Sequence, residues 1–294
     1  MSDQLFDDTQ SRSAGRFRDS AFGRIIREPM GALGITLVAL IILGALFAGY
    51  TGYNPAKLAM RDRFLDPSLS HLLGTDHLGR DLFTRVLFGA RIALGVASIA
   101  TGISFIGGLL LGMIAGYGPR WLDSLLLLFF DSLRSFPTVM LALALVTLTG
   151  PSLGTVILVV VLATLPGYAR VVRAQTMSLK TSEFVLSART LGARPWRILA
   201  VHIMPNLIGP LVILVSMDIP VVITIEAGMS FLGLGVRPPT PSWGSILNDG
   251  YAFIRESSWL AIAGGLPIII ATLGFTFLGE TLRDHLDPRL RRDR

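Results

Sequence analysis

Residues Glu183–Asn206 read EFVLSARTLGARPWRILAVHIMPN. The stretch is polar and basic, lies between two apolar runs, and carries Pro205 at its end. Links between membrane spans are ordinarily short, so a link of this length with helix signals of its own points to a surface gripped by something in the cytosol. Thr181 is placed to cap a helix, and Glu183 sits in the first turn, where negative charge is favoured. The helix runs through Phe184, Val185, Leu186, Ala188 and Leu191, and Gly192 ends it as a left-handed cap. Pro195 suits the first turn of a second helix bearing Trp196, Ile198, Leu199 and Ile203. The expectation is two short helices joined by a sharp turn, parallel to the membrane. Gly192 and Ala193 leave that turn bare, and Arg189, Arg194 and Arg197 border it. Such a loop can dock a partner or merely cap the bundle. The conjunction of helix, bare glycine turn and proline stop favours docking.

The rest of the chain is written for a bilayer. Of 294 residues, 51% are hydrophobic and 16% charged, against about a quarter charged in soluble domains; the mean hydropathy is +0.61. Apolar runs reach the roughly 20 residues a membrane helix needs. Six transmembrane helices are expected: Met30–Tyr50, Ile92–Tyr117, Leu125–Thr149, Leu153–Val172, Leu207–Leu232 and Trp259–Leu278. The absence of Cys excludes disulfides and thiol chemistry. The net charge of +6 flanks apolar spans and forms no basic face, which argues against nucleic acid.

Arginines and lysines place both termini in the cytosol. They crowd the tails (Arg12, Arg16, Arg18, Arg24 and Arg27; Arg283, Arg289, Arg291, Arg292 and Arg294) and the link after the fourth span (Lys180, Arg189, Arg194, Arg197). The opposite links are neutral or balanced, apart from the long link Thr51–Ala90, which mixes basic residues with Asp62, Asp66, Asp76 and Asp81. The division follows: residues 1–29 a cytosolic tail, in which Phe17, Phe22, Ile25 and Ile26 alternate with arginines in an amphipathic segment; 30–50 the first span; 51–91 a periplasmic loop; 92–281 a five-helix domain with the cytosolic loop 177–206; 282–294 a cytosolic basic tail. The amphipathic reading competes with a disordered basic tail over residues 1–14. The first apolar run is too long and too far from the start for a cleaved signal.

The Glu183–Asn206 loop resembles the cytosolic signature of permease subunits in bacterial ATP-driven importers. That motif begins Glu-Ala-Ala, continues to a Gly and ends Ile-x-Leu-Pro. Here Leu186-Ser187-Ala188, Gly192 and His202-Ile203-Met204-Pro205 keep its spacing. The departures are Leu186 for Glu, Ser187 for Ala, His202 for Ile and Met204 for Leu. Glu183, nearly one turn earlier, is the candidate substitute for the missing acid. HLLGTDHLGRDLFTRVLFGAR (His71–Arg91), AGMSFLGLGVRPPTPSWGSILNDG (Ala227–Gly250) and LRDHLDPRLR (Leu282–Arg291) resemble, in the right order, the second (C-type) permease of the dipeptide, oligopeptide and nickel importers.

The resemblance implies an all-α polytopic permease with a type I ABC importer (MetI-like) core in the bacterial cytoplasmic (inner) membrane. It implies a second, non-identical permease, two cytosolic ABC ATPases that grip the loop, and an extracytoplasmic binding protein that delivers the solute. It implies no cofactor in this chain, with ATP and Mg held by the ATPases; indeed the chain has no P-loop. Short peptides are the first choice of solute, with nickel chelates, glutathione or another small solute as alternatives. The coupling residues carried over are Glu183, Leu186, Ser187, Ala188, Arg189, Gly192, Ala193, Arg194 and Pro205.

Charges inside spans tend to mark function. Asp131 and Arg134 lie one turn apart and are expected to pair. Asp218 and Glu226, with Pro220 between them and Met217, Met229 and Ser230 nearby, are candidates for lining a polar path or simply for packing. Asp76, Arg80, Asp81, Arg237 and Trp243 are candidates for facing the binding protein. For Asp76 and Arg80 the favoured reading is a lid that satisfies its own charges. Gly108, Gly112 and Gly116 form a small-residue stripe that allows another helix close. No metal site is expected, because the four His residues are scattered. A channel and a membrane enzyme using Asp218 and Glu226 as a carboxylate pair remain as other classes.

Overall fold

The computed structural model describes residues 27–286; the amphipathic segment expected before Arg27 and the end of the basic tail lie outside them. Among the described residues the fold is helical, with one isolated bridge, Thr75 to Asp81. Five helices are long and apolar enough to cross a membrane, and a sixth crossing arises if one bent pair is taken together.

Helix α1 (Pro29–Phe47) starts with Pro in its first turn, where the missing N–H costs nothing. It packs on the chain's last helix through Gly34 and Gly274 and shows much of its surface outward. Helix α2 (Leu82–Tyr117) begins earlier than its apolar run, because Asp81 accepts from the Thr84 amide and nucleates a polar first turn. Residues 82–91, expected in the loop, are therefore helical.

The third span departs most from expectation. Leu125–Thr149 is not one helix but two, α3 (Arg120–Ser135) and α4 (Thr138–Thr149), bent by 91°. Pro137 is the cause: it bars the helical region to the residue before it, and Phe136 is extended at φ −87°, ψ 126°. Helix α5 (Leu153–Leu179) is capped by Ser152 and runs well past Val172.

After α5 come α6 (Glu183–Thr190) and α7 (Pro195–Phe231). The second short helix expected in the link is the first turn of α7, joined to the rest by a π-helical turn over Ile198–Ile203. Pro205 has no N–H for the preceding turn, and the wider turn absorbs that misfit. Helix α8 (Trp243–Ala252) was not foreseen. Its signal is the Ser242–Ser245 capping box, in which each serine side chain meets the other's backbone. Helix α9 (Ser258–Leu286) closes the described chain.

The α2–α5 contact is the most extensive between helices. The Gly108–Gly112–Gly116 stripe faces Tyr168, Ala169, Val172, Arg173 and Thr176 of α5. A Cβ at Gly116 would lie 2.7 Å from the Arg173 carbonyl oxygen and one at Gly112 2.6 Å from the Val172 Cβ, so neither site has room for a side chain. Gly112→Ala should destabilise the chain by about 1–3 kcal/mol through overpacking. Gly102→Ala, where a Cβ meets nothing within 4 Å, should be neutral or slightly stabilising. Thermal inactivation in mild detergent checks the pair, and equal melting of the two variants would contradict the packing argument.

Candidate functional site

The signature loop forms one end of the helix bundle. Ser182, not Thr181, precedes α6, and its hydroxyl donates to the Leu179 carbonyl at 2.6 Å instead of capping. The helix ends in a complete Schellman turn: Gly192 has φ +80°, its N–H donates to the Arg189 carbonyl, and the Ala193 N–H donates to the Ala188 carbonyl. Arg194 is extended ahead of Pro195. Val185, Ile198 and Ile203 are buried against Leu109 and Met113 of α2 and Tyr168 and Val172 of α5, which fixes the loop to the bundle. Lys180 reaches back from the end of α5 to the Tyr117 carbonyl at 2.9 Å.

The other face of the loop is bare. Glu183, Leu186, Ser187, Arg189 and Arg194 are exposed, Ala188 and Ala193 are half-buried, and Leu191 and Trp196 are 88% and 65% exposed. A hollow of about 620 Å³ lies against the turn, lined by Ala188, Leu191, Gly192, Ala193, Trp196 and the cations Arg194 and Arg197. Pro205 lies beyond the hollow, exposed in α7.

The opposite end holds a buried charge cluster. Asp76 is fully buried; one of its carboxylate oxygens accepts from the Leu78 and Arg80 amides, the other from Arg80 Nε at 2.6 Å. Arg85 Nε stands 3.3 Å from that second oxygen. Asp249 of α8 faces the same two arginines at 3.5 and 3.9 Å and His77 at 3.8 Å. Asp81 accepts from Thr84 and meets His71 at 2.8 Å. Trp243 is buried and donates to the Val86 carbonyl at 2.8 Å. Ligand-type atoms of Asp76, His77 and Asp249 converge within 4.8 Å. Both carboxylates, however, are already faced by the guanidinium groups of Arg80 and Arg85, so the donor set suits an ion-pair lock better than a cation.

This geometry corrects one expectation. Asp76, Arg80, Asp81 and Trp243 are used up inside the fold and offer no surface to a binding protein; their charges and ring tie the loop to α2 and α8. Arg237 remains exposed, its guanidinium against Gly150 in the α4–α5 turn.

The intramembrane acids also part company. Eight residues of helix carry a side chain about 80° around the axis, and the two carboxyl groups meet different surroundings. Glu226 is fully buried, accepting from Ser230 at 2.8 Å, and Met229 and Ser230 are buried with it. Asp218 is half-buried and lines a cavity of about 530 Å³ with Arg134, Phe136, Thr138, Gly167 and Arg170. Asp131 pairs with Arg170 of α5, not with Arg134, and Asp123 pairs with Arg173. The cavity roles of Arg134 and Arg170 were missed, and the Phe136–Pro137 step was the signal that could have shown the corner.

Removing one partner from a buried ion pair costs about 3–5 kcal/mol. Asp76→Asn should therefore lower thermal stability sharply, and adding Arg80→Met should restore part of the loss; an unchanged melting temperature would refute the lock. Burial pushes the Asp249 carboxyl above its ordinary value, against the opposing pull of His77, Arg85 and Arg80. The folded state then binds that proton more tightly than the unfolded one, so the contribution to stability falls as pH rises from about 3.9 through the raised value. The stability difference between wild type and Asp249→Asn, followed across the acid range, should decline with rising pH; a flat or rising difference would contradict this.

Residues 108–292 match the family model described as binding-protein-dependent transport system inner membrane component. The dipeptide transport system permease protein DppC of Alkalihalophilus pseudofirmus is 36% identical over 92% of this chain and 90% of its own length. DppC of Bacillus subtilis is 33% identical over 97% and 90%. The glutathione transport system permease protein GsiD of Pectobacterium atrosepticum is 37% identical over 91% and 90%. The inward-facing MetNI methionine ABC transporter shares the fold, with a TM-score of 0.58 at 17% identity over 69% of this chain and 96% of that one. The relatives are transport subunits, not enzymes, and the apolar helices place the chain in the inner membrane. By this match and by relatives aligned over most of its length, the chain belongs to the binding-protein-dependent transport system inner membrane components, the permease subunits of ABC importers.

Proposed function

We propose that this chain is one half of a heterodimeric permease that imports short peptides, driven by two ATPases gripping the Gly192 turn. The observation that carries the coupling role is the turn itself. Leu186, Leu191 and Trp196 stand in the open beside a hollow edged by Arg194 and Arg197. Apolar side chains clustered at a cytosolic surface mark a contact face, and the cationic edge suits an acidic partner groove. Leu186 fills the place of the family's acidic residue with an exposed apolar side chain, so docking here relies on apolar burial, with Glu183 one turn away for the charge.

In this reading both termini are cytosolic, because the basic residues gather on the side of the signature loop. ATP and Mg sit in the partner chains. ATP binding closes the ATPases, pushes the Gly192 turn and rocks the two permeases about a central path. The binding protein docks at the opposite end, where Arg237 is exposed. Peptide is the preferred cargo because relatives similar over nine-tenths of the chain are named for dipeptides. The GsiD relatives support glutathione, itself a small peptide, as the second reading.

The chain lacks Cys, so Ala193→Cys supplies a unique thiol. It should crosslink to a cysteine placed in the ATPase groove, with a yield that changes on adding ATP. No crosslink from any position along 187–197 would sink the docking claim. Affinity purification in mild detergent should bring down two P-loop ATPases and a second permease, and mass analysis of the ligand on the binding protein names the solute.

A further inference from the structure

Resting on the importer reading, we infer that the cavity at the α3–α4 corner is a two-pole site for a zwitterionic solute, in which Asp218 takes an ammonium group and Arg134 a carboxylate. The site is built from four helices. Arg134 ends α3, Thr138 starts α4 beyond the Pro137 break, Gly167 opens the wall of α5, and Asp218 projects from α7. Among the described residues neither Arg134 nor Asp218 has an ion-pair partner within 4.0 Å. Arg170, on the same wall, is committed to Asp131. Asp218 is half-buried on a membrane-spanning helix, where an unpaired carboxylate is costly, and Arg134 stands exposed at the corner. Yet they face one shared cavity without meeting. A ligand bearing both opposite charges satisfies both at once; a neutral solute satisfies neither.

Size agrees with this. A sphere of 530 Å³ is about 10 Å across, and two or three extended residues span about 7–11 Å. The volume also falls in the ordinary range for small-molecule sites, about 300–1,000 Å³. Phe136, Leu141, Leu214 and Val221 give the cavity apolar walls for side chains of varied size. The poles thus read the two ends of a peptide and leave its sequence unread.

The test uses the whole complex, purified through a tag on this chain and placed in nanodiscs for labelling and in sealed proteoliposomes for uptake. Gly167→Cys gives the cavity a single thiol where a Cβ meets nothing within 4 Å; Val221→Cys is the second reporter. The rate of maleimide labelling is read with dialanine and with its doubly capped analogue, N-acetyl-dialanine amide. Free dialanine should slow labelling severalfold, and the capped form should not. Asp218→Asn should abolish the protection and Asp218→Glu should retain it. Equal protection by the capped form, or protection that survives Asp218→Asn, overturns the two-pole site. Uptake of dialanine by the complex without protection at either reporter also overturns it, and leaves the importer reading intact. Protection without peptide uptake by the wild-type complex overturns the cargo reading alone, and the absence of both overturns both.

Discussion

The close approach of α2 and α5 is the constraint on which the rest depends. With glycine at 108, 112 and 116 the backbone of one helix lies almost on that of the other. Between helices in lipid, where no hydrophobic force drives association, this van der Waals contact is the main source of cohesion. Its consequence is positional. Once α5 is fixed, Arg173 and Arg170 hold α3 across it through Asp123 and Asp131. The same pair of helices buries Val185, Ile198 and Ile203, and so holds the signature loop. The wall of the cavity and the seat of the loop are two parts of one rigid unit.

Prolines then decide where the unit bends. At Phe136–Pro137 the helix stops, because nothing beyond the step continues the same axis, and the freed corner becomes the cavity rim. In α7 the helix survives Pro205, Pro210 and Pro220, because neighbours tolerate the gaps. Asn206 donates its side-chain amide to the His202 carbonyl at 2.7 Å. Pro220 cannot donate to the Ser216 carbonyl, and at that level Gly279 lets α9 come close. The same residue type therefore breaks one span and merely softens another, according to what packs alongside.

That difference marks how far the sequence could be read. Five of the six expected spans, the left-handed Gly192 turn and the glycine stripe were legible, because each rests on local chemistry: run length, a positive φ, a missing Cβ. The pairing of Asp131 with Arg170 was not, since Arg134 offered itself at helical spacing on the same helix and the partner actually taken lies 39 residues on, in α5. Asp218 and Glu226 looked alike as intramembrane acids. Ser230, one turn on, was in view; the fates diverged because α3 and α5 open a cavity beside Asp218, which periodicity along α7 cannot report. Asp76, Arg80 and Trp243 were candidates for facing a binding protein, although a lid satisfying its own charges was the favoured reading for the first two. Their burial depends on α8, whose capping box is short and easily passed over.

Helix α7 joins these parts mechanically. At about 1.5 Å per residue its 37 residues extend roughly 55 Å, from the Gly192 turn past Asp218 to the loop beneath α8. Its start is packed into the α2–α5 unit, and its far end meets α8 where Gly244 sits on the Ala227 carbonyl. Asp249 of α8 is tied in turn to Arg80 and Arg85. The charged end is thus anchored, while the Gly192 end has a bare outer face. A partner that displaces the turn moves α6 and the first turns of α7 together, because Val185, Ile198 and Ile203 share one core. The π turn at Ile198–Ile203 and the missing amide donors of Pro210 and Pro220 are the irregular points along α7. Asp218 lies two residues before the last of them, between the bare Gly192 end and the locked end.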